Sequence, residues 1–161
     1  MFGDYLPMKN SIPLGLVALG SYGREQLCVH SDIDLMLIYK DIPAYNVKEI
    51  IEKILYILWD TGLKLGHRVH TIDDLYEVSK TDITIKTALI ESRMIEGSIF
   101  IWTETQNAIS QIRHDNIKEF IQLKLEEQEE KHRKFPLTME PNLKEGSGGF
   151  RDANLVFWIG K

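Results

Sequence analysis

One cysteine in 161 residues, Cys28, leaves no partner for an internal disulfide, so this chain must be held by its core and not by covalent staples. Cys28 stands beside Val29 and is read as a packing residue. No apolar run approaches the roughly 20 residues needed to span a bilayer, and no charged-then-apolar leader marks a secretory signal. The expected compartment is the cytoplasm. Basic residues are outnumbered, 19 Lys and Arg against 24 Asp and Glu, for a formal charge of -5. That balance excludes a generally basic nucleic-acid footprint and leaves room only for a local basic groove. Internal repeats and low-complexity tracts are also absent. What is present is a chain 43% hydrophobic, long enough for one domain with a core, or one domain and part of a second.

Leu14–Leu19 is almost continuously apolar, as a strand buried on both faces would be. Gly20-Ser21 ends it, with Ser21 placed to cap a short helix through Leu27. Asp32–Tyr39 reads as a second strand, closed by Lys40, Asp41 and Pro43. Val47, Ile50, Ile51, Ile54, Leu55 and Leu58 then mark one stripe of a helix, with Asn46 and Glu49 as a capping pair and Gly62 as its stop. Lys64–Ile72 reads as a third strand. This order predicts an α/β fold, a mixed sheet with flanking helices, over residues 1–72. Beyond Asp73 the pattern turns helical, over Asp73–Ser79, Asp82–Ile95, Ser98–Ile112 and Asn116–Lys134. A loop rich in proline and glycine covers Phe135–Gly149, and Phe150–Ile159 reads as a last helix. Residues 73–161 are therefore expected to form an all-helical segment, incomplete at its end.

The chemistry gathers in the first part. Side chains alternate along a strand, so Asp32 and Asp34 share a face. Two carboxylates beside apolar runs require a cation or many hydrogen bonds, and magnesium, which takes one or two carboxylates plus water and phosphate oxygens, is the natural partner. Gly20 lets backbone approach a phosphate, Ser21 supplies a hydroxyl, and Arg24 adds a charge-assisted contact. Gly20 and Gly23 lack the third glycine of a dinucleotide fingerprint. The combination predicts a phosphate cradle facing a metal site, suited to in-line nucleotidyl transfer.

Gly20-Ser21 with Asp32-Ile33-Asp34 resembles the signature of DNA polymerase beta type nucleotidyltransferases. Three later blocks, Leu65-Gly-His-Arg-Val-His-Thr71, Ala88-Leu-Ile-Glu-Ser-Arg-Met-Ile-Glu-Gly97 and Pro141-Asn-Leu-Lys-Glu-Gly-Ser-Gly-Gly-Phe-Arg-Asp152, narrow it. Together they are similar to the bifunctional protein-PII uridylyltransferase/uridylyl-removing enzymes. The resemblance implies a magnesium-dependent transferase that moves UMP from UTP onto a tyrosine of the nitrogen-signalling PII protein. It implies that Asp32 and Asp34 hold metal and act in catalysis, that Gly20 and Ser21 hold the triphosphate, and that Lys144, Gly148, Gly149 and Arg151 either close over nucleotide or brace the helical domain on the transferase domain. Another nucleotide or acceptor, or nucleotide binding without turnover, are the alternative functions.

Two departures from the pattern matter. Many members of the superfamily carry a third carboxylate on a later strand, whereas Lys64–Ile72 holds only His67 and His70, with Asp73 and Asp74 just beyond. His67 is open to a structural role or to contact with phosphate or acceptor. The chain is also short for the family and its leader before Leu14 looks trimmed, so a fragment is expected. His114-Asp115 is read as a helix-starting pair and not as a hydrolase site. Trp59, Trp102 and Trp158 are read as packing, and Lys124–Lys134 as a solvated helix face.

Overall fold

The computed structural model describes residues 12–43, 46–136 and 138–160. The leader preceding them lies outside the described residues. Two compact units divide the chain, Met1–Ile112 and Arg113–Lys161. The composition change at Asp73 falls inside the first, where a strand meets a helix.

The first unit is built on a four-stranded sheet in the order β3-β2-β1-β4. Its strands are β1 (Leu14–Ala18), β2 (Ile33–Tyr39), β3 (Leu65–Thr71) and β4 (Arg93–Gly97). β1 runs antiparallel to β2 and to β4, while β2 and β3 are parallel. Parallel neighbours need a crossover connection, which α2 (Val47–Asp60) provides. The one-turn α1 (Gly20–Gly23) follows β1, and α3 (Ile72–Thr81), α4 (Ile83–Ile90) and α5 (Ile99–His114) complete the unit.

Alternation along the central strands sorts the core into two layers. Val17, Met36 and Ile38 face Leu75, Leu89, Ile109 and Ile112, from α3, α4 and α5. Leu14 and Leu37 face Val47 and Ile51, from α2. β1 and β2 are apolar on both sides because helices cover both sides. The helices start where polar side chains can take up a free amide: Asn46 accepts from Glu49 N, Thr71 from Asp74 N, and Asp82 from Thr84 N.

The structure bears out a mixed α/β sheet with flanking helices, followed by a helical region, the fold class of the nucleotidyltransferases. It differs from the sequence reading in four places. Asp82–Ile95 is not one helix: α4 stops at Ile90 and the chain re-enters the sheet as β4. The helix after Gly20 does not reach Leu27, and its N-cap is Leu19 without a side-chain bond, not Ser21. Glu25, at φ 61, turns the chain out of the helix. His114 ends α5 and does not begin a helix. Cys28 is exposed and does not pack.

The second unit contains α6 (Ile117–Lys134) and α7 (Phe150–Gly160). Phe120 and Leu155 are its buried apolar residues. No helix among the described residues is long and apolar enough to cross a membrane.

Ile38 is fully buried in the first core layer. Ile38→Ala is expected to lower the unfolding free energy by about 2–5 kcal/mol, read from the urea midpoint at unchanged slope.

Candidate nucleotide and metal site

Pairing sets the surroundings of Asp34. The antiparallel β1–β2 ladder ends with Ala18 opposite Leu35, and Leu19 N donates to Asp34 O at 2.9 Å. This brings Gly20 beside Asp34. On the other side the parallel register places Gly66 directly opposite Asp34. A Cβ added at Gly20 would lie 3.2 Å from Asp34 Oδ2, and one added at Gly66 would lie 2.5 Å from Asp34 Oδ1. The carboxylate thus occupies space that a side chain on either neighbour would take. Gly20 is also at φ +54, a conformation that costs other residues strain.

Asp32 lies one residue before β2, at the same strand end, and its carboxylate pairs with Lys64 Nζ at 2.6 Å. Both partners are exposed, and the carboxylate raises the affinity of the Lys64 amine for its proton. Ser21 is half-buried within α1, and its carbonyl accepts from Gln26 N at 2.8 Å. Arg24 forms an ion pair with Glu91, which is buried at the end of α4. So the structure joins Gly20, Ser21, Asp32 and Asp34 at one end of the β1–β2 pair, and holds Arg24 by a carboxylate partner.

The histidines of β3 diverge. His67, exposed on β3, meets the Trp59 ring edge-on at 5.4 Å on the α2 side, the face of the sheet opposite to Asp34. His70 is half-buried; burial pushes its imidazole toward the neutral form, Arg68 adds to this, and Asp74 opposes it. No group of three or more His, Cys, Asp or Glu side chains converges among the described residues. Two carboxylates still suit magnesium, which completes its shell with water and phosphate oxygens. Sequence reasoning missed Gly66, Lys64 and Glu91. The register of β2 against β3 identifies the first two, and strand directions are not written in sequence pattern.

Comparison with known proteins gives the same direction. A bifunctional uridylyltransferase/uridylyl-removing enzyme from Azospirillum brasilense is 41% identical over 152 residues, covering 91% of this chain and 16% of the relative. Its counterpart from Novosphingobium aromaticivorans is 37% identical over 159 residues, covering 92% of this chain and 17% of the relative. This chain belongs to the bifunctional uridylyltransferase/uridylyl-removing family. The relative from Methylococcus capsulatus, 36% identical, covers 94% of this chain and 18% of its own length. The chain therefore spans about a sixth of the length of the curated relatives it matches. The family described as GlnD PII-uridylyltransferase matches residues 119–161. A solved toxin-antitoxin complex with AMP-PNP aligns with 78% of this chain and 90% of its own, at 17% identity and a TM-score of 0.37, too distant to bear on function.

That family match falls on the second unit, where the glycine-rich block is a tightly wound loop. Asn142 Oδ1 accepts from Lys144 N and Glu145 N at 3.0 and 2.9 Å. A Cβ at Gly146 would lie 2.7 Å from Asn142 O, and one at Gly149 2.7 Å from Leu143 O. Arg151 Nε donates to Glu145 Oε1 at 2.9 Å, while the Lys144 side chain is exposed. The charged face read on α6 is only partly solvated. Lys124 is buried, pairs with Glu127 at 2.8 Å and lies over the Trp158 ring.

Asp152 ties the loop to α6, bonding His132 Nε2 at 2.9 Å and accepting from Gly148 N at 2.7 Å. Burial pushes its carboxyl up, but Gln128, the Gly148 amide and His132 outweigh this and hold it below the usual range. A depressed folded pKa adds stability above the unfolded value and loses it as pH falls through the folded one. Acidification below about pH 4 should therefore destabilise the second unit in the wild type, and Asp152→Asn should flatten that dependence in urea titrations across pH.

For the first unit, Gly66→Ala is expected to turn the Asp34 carboxylate aside while leaving the β2–β3 register intact. A crystal structure of the variant checks this, and an unmoved carboxylate contradicts the packing described.

Proposed function

We propose that this chain carries a nucleotidyltransferase site that moves UMP from UTP to a tyrosine hydroxyl of the PII signalling protein in the cytoplasm. The observation that carries the reading is the Asp34 carboxylate seated between two side-chain-less neighbours, Gly20 and Gly66, in a member of the uridylyltransferase family. Glycines on both sides leave the space that the Asp34 carboxylate fills, at the strand end where a cation would bind.

In this reading Asp32 and Asp34 are the residues that would hold magnesium, and both are assigned to catalysis through that metal. Magnesium, when bound there, supplies charge neutralisation along the triphosphate and orients the α-phosphate for in-line attack. Asp32 gives up Lys64 to do so. That pair is exposed on both sides, so solvent already screens it and a divalent cation competes on favourable terms. Gly20 admits the triphosphate close to backbone, and the Ser21 hydroxyl donates to it. The guanidinium of Arg24 adds positive charge near the same phosphates while Glu91 fixes its position. In the second unit Arg151, engaged by Glu145, braces its own loop.

The few carboxylates in the site favour a second reading, nucleotide binding without turnover. Incubation with labelled UTP, magnesium and a PII protein separates the two. Label on PII tyrosine, reduced at least about 100-fold by Asp32→Ala/Asp34→Ala, is the expected result. Transfer unchanged in the double variant overturns the site; magnesium-dependent UTP binding without pyrophosphate release selects the second reading. Chelation of magnesium should abolish both binding and transfer.

A further inference from the structure

The turn that carries Gly20 and Ser21 is gripped from outside by Glu91, in the link between α4 and β4, and by Arg93, the first residue of β4. Glu91, almost fully buried, forms the ion pair with Arg24 at one end of the turn. Two residues later, Arg93 Nη2 donates to Tyr22 O at 3.1 Å, and Arg93 Nε lies 3.4 Å from Glu25 Oε1. The Arg93 guanidinium also sits 5.4 Å from the centre of the Tyr22 ring. The backbone is equally close: a Cβ at Gly23 would collide with the Glu91 carbonyl oxygen and lie 3.0 Å from Ala18 O.

Arg93 is itself part of the sheet, paired with Ala18 in β1. The grip therefore starts from a strand whose position the β1–β4 ladder fixes, and acts on a turn two residues further along β1's own chain. Within the turn the bonds are local, Gly23 N and Arg24 N donating to Leu19 O and Gly20 O, and Arg24 Nε to Gln26 Oε1. α1 has a single helical turn with no side-chain cap, and the chain leaves it through Glu25 at φ 61. A short uncapped turn ending in a left-handed residue persists where its surroundings over-determine it.

We propose that Glu91 and Arg93 are positioning residues for the phosphate-binding turn, acting through Arg24, Tyr22 and Glu25 and touching no substrate themselves. The inference rests on the turn being the triphosphate site. Glu91 holds the Arg24 guanidinium by charge, and Arg93 holds the carbonyl and ring of Tyr22. Ser21, between these fixed points, keeps its place relative to Asp34 without a ligand.

The test is amide hydrogen exchange of the unliganded chain, paired with titration by UTP and magnesium. Gly23, Arg24 and Gln26 donate their amides to Leu19 O, Gly20 O and Ser21 O, so they report on the turn alone. In Glu91→Ala and Arg93→Ala these three amides should exchange about tenfold faster while the β1–β2 ladder stays protected, and the UTP dissociation constant should rise about tenfold. Glu91→Gln, which keeps an acceptor but removes the charge that holds Arg24, should stay close to Glu91→Ala in both readouts. Uniformly faster exchange through the first unit, or an unchanged turn, overturns the inference. So does a Glu91→Gln variant with wild-type exchange and affinity, since the charge of Glu91 would then hold nothing. Faster exchange at the turn with unchanged UTP affinity keeps the grip and overturns the assignment of the turn to triphosphate.

Discussion

Asp34 has room for its carboxylate because the residues on both sides of it have no side chain. One of those neighbours, Gly20, comes from the end of an antiparallel partner, and the other, Gly66, from a parallel one. The strand that carries Asp34 has one partner of each direction, and the site draws a glycine from each. The same sheet also buries β1 and β2. Moving β3 by one residue against β2 would put Leu65 or His67 opposite Asp34 and send the side chains of β3 to opposite faces.

The ion pairs around this site differ in how strongly solvent competes with them. Asp32 and Lys64 meet at 2.6 Å but remain open to water, with side-chain exposures of 50% and 83%. Such a pair is exchanged readily for a better cation. Arg24 and Glu91 are 15% and 4% exposed, so neither charge has water to return to when the other leaves. Losing one partner of a buried pair commonly costs about 3–5 kcal/mol, although the pair itself contributes little net stability. The chain thus combines an exchangeable contact where metal is proposed to bind with a fixed one where geometry must be kept.

Much of the first unit was legible in its sequence, because apolar alternation and capping residues are local signals. β1, β2 and α2 were readable in this way, as was the conjunction of Gly20-Ser21 with Asp32 and Asp34. β4 was not. Arg93–Gly97 has no clean alternation, and it becomes a strand because β1 has an open edge for it. The length of α1 was misread for a similar reason: Glu91 and Arg93 hold the turn, and they are far away in sequence. Strand direction, which places Gly66 opposite Asp34 and turns His67 away toward Trp59, is a tertiary fact with no local signature.

In the second unit the glycines read as candidates for nucleotide contact have a packing explanation of their own. Gly146 and Gly149 let the loop close on Asn142 and Leu143, and Gly148 turns with φ +76. Arg151 belongs to the same local packing through Glu145.

The most direct measurement of the central claim is paramagnetic line broadening in NMR spectra of the full chain, with Mn2+ in place of Mg2+ and a non-hydrolysable UTP analogue present. Broadening that begins at Gly20, Ser21, Asp34 and Gly66, and disappears in Asp34→Asn, is what the account predicts. Broadening centred on the acidic faces of α3 or α6, with these four residues unaffected, would contradict it.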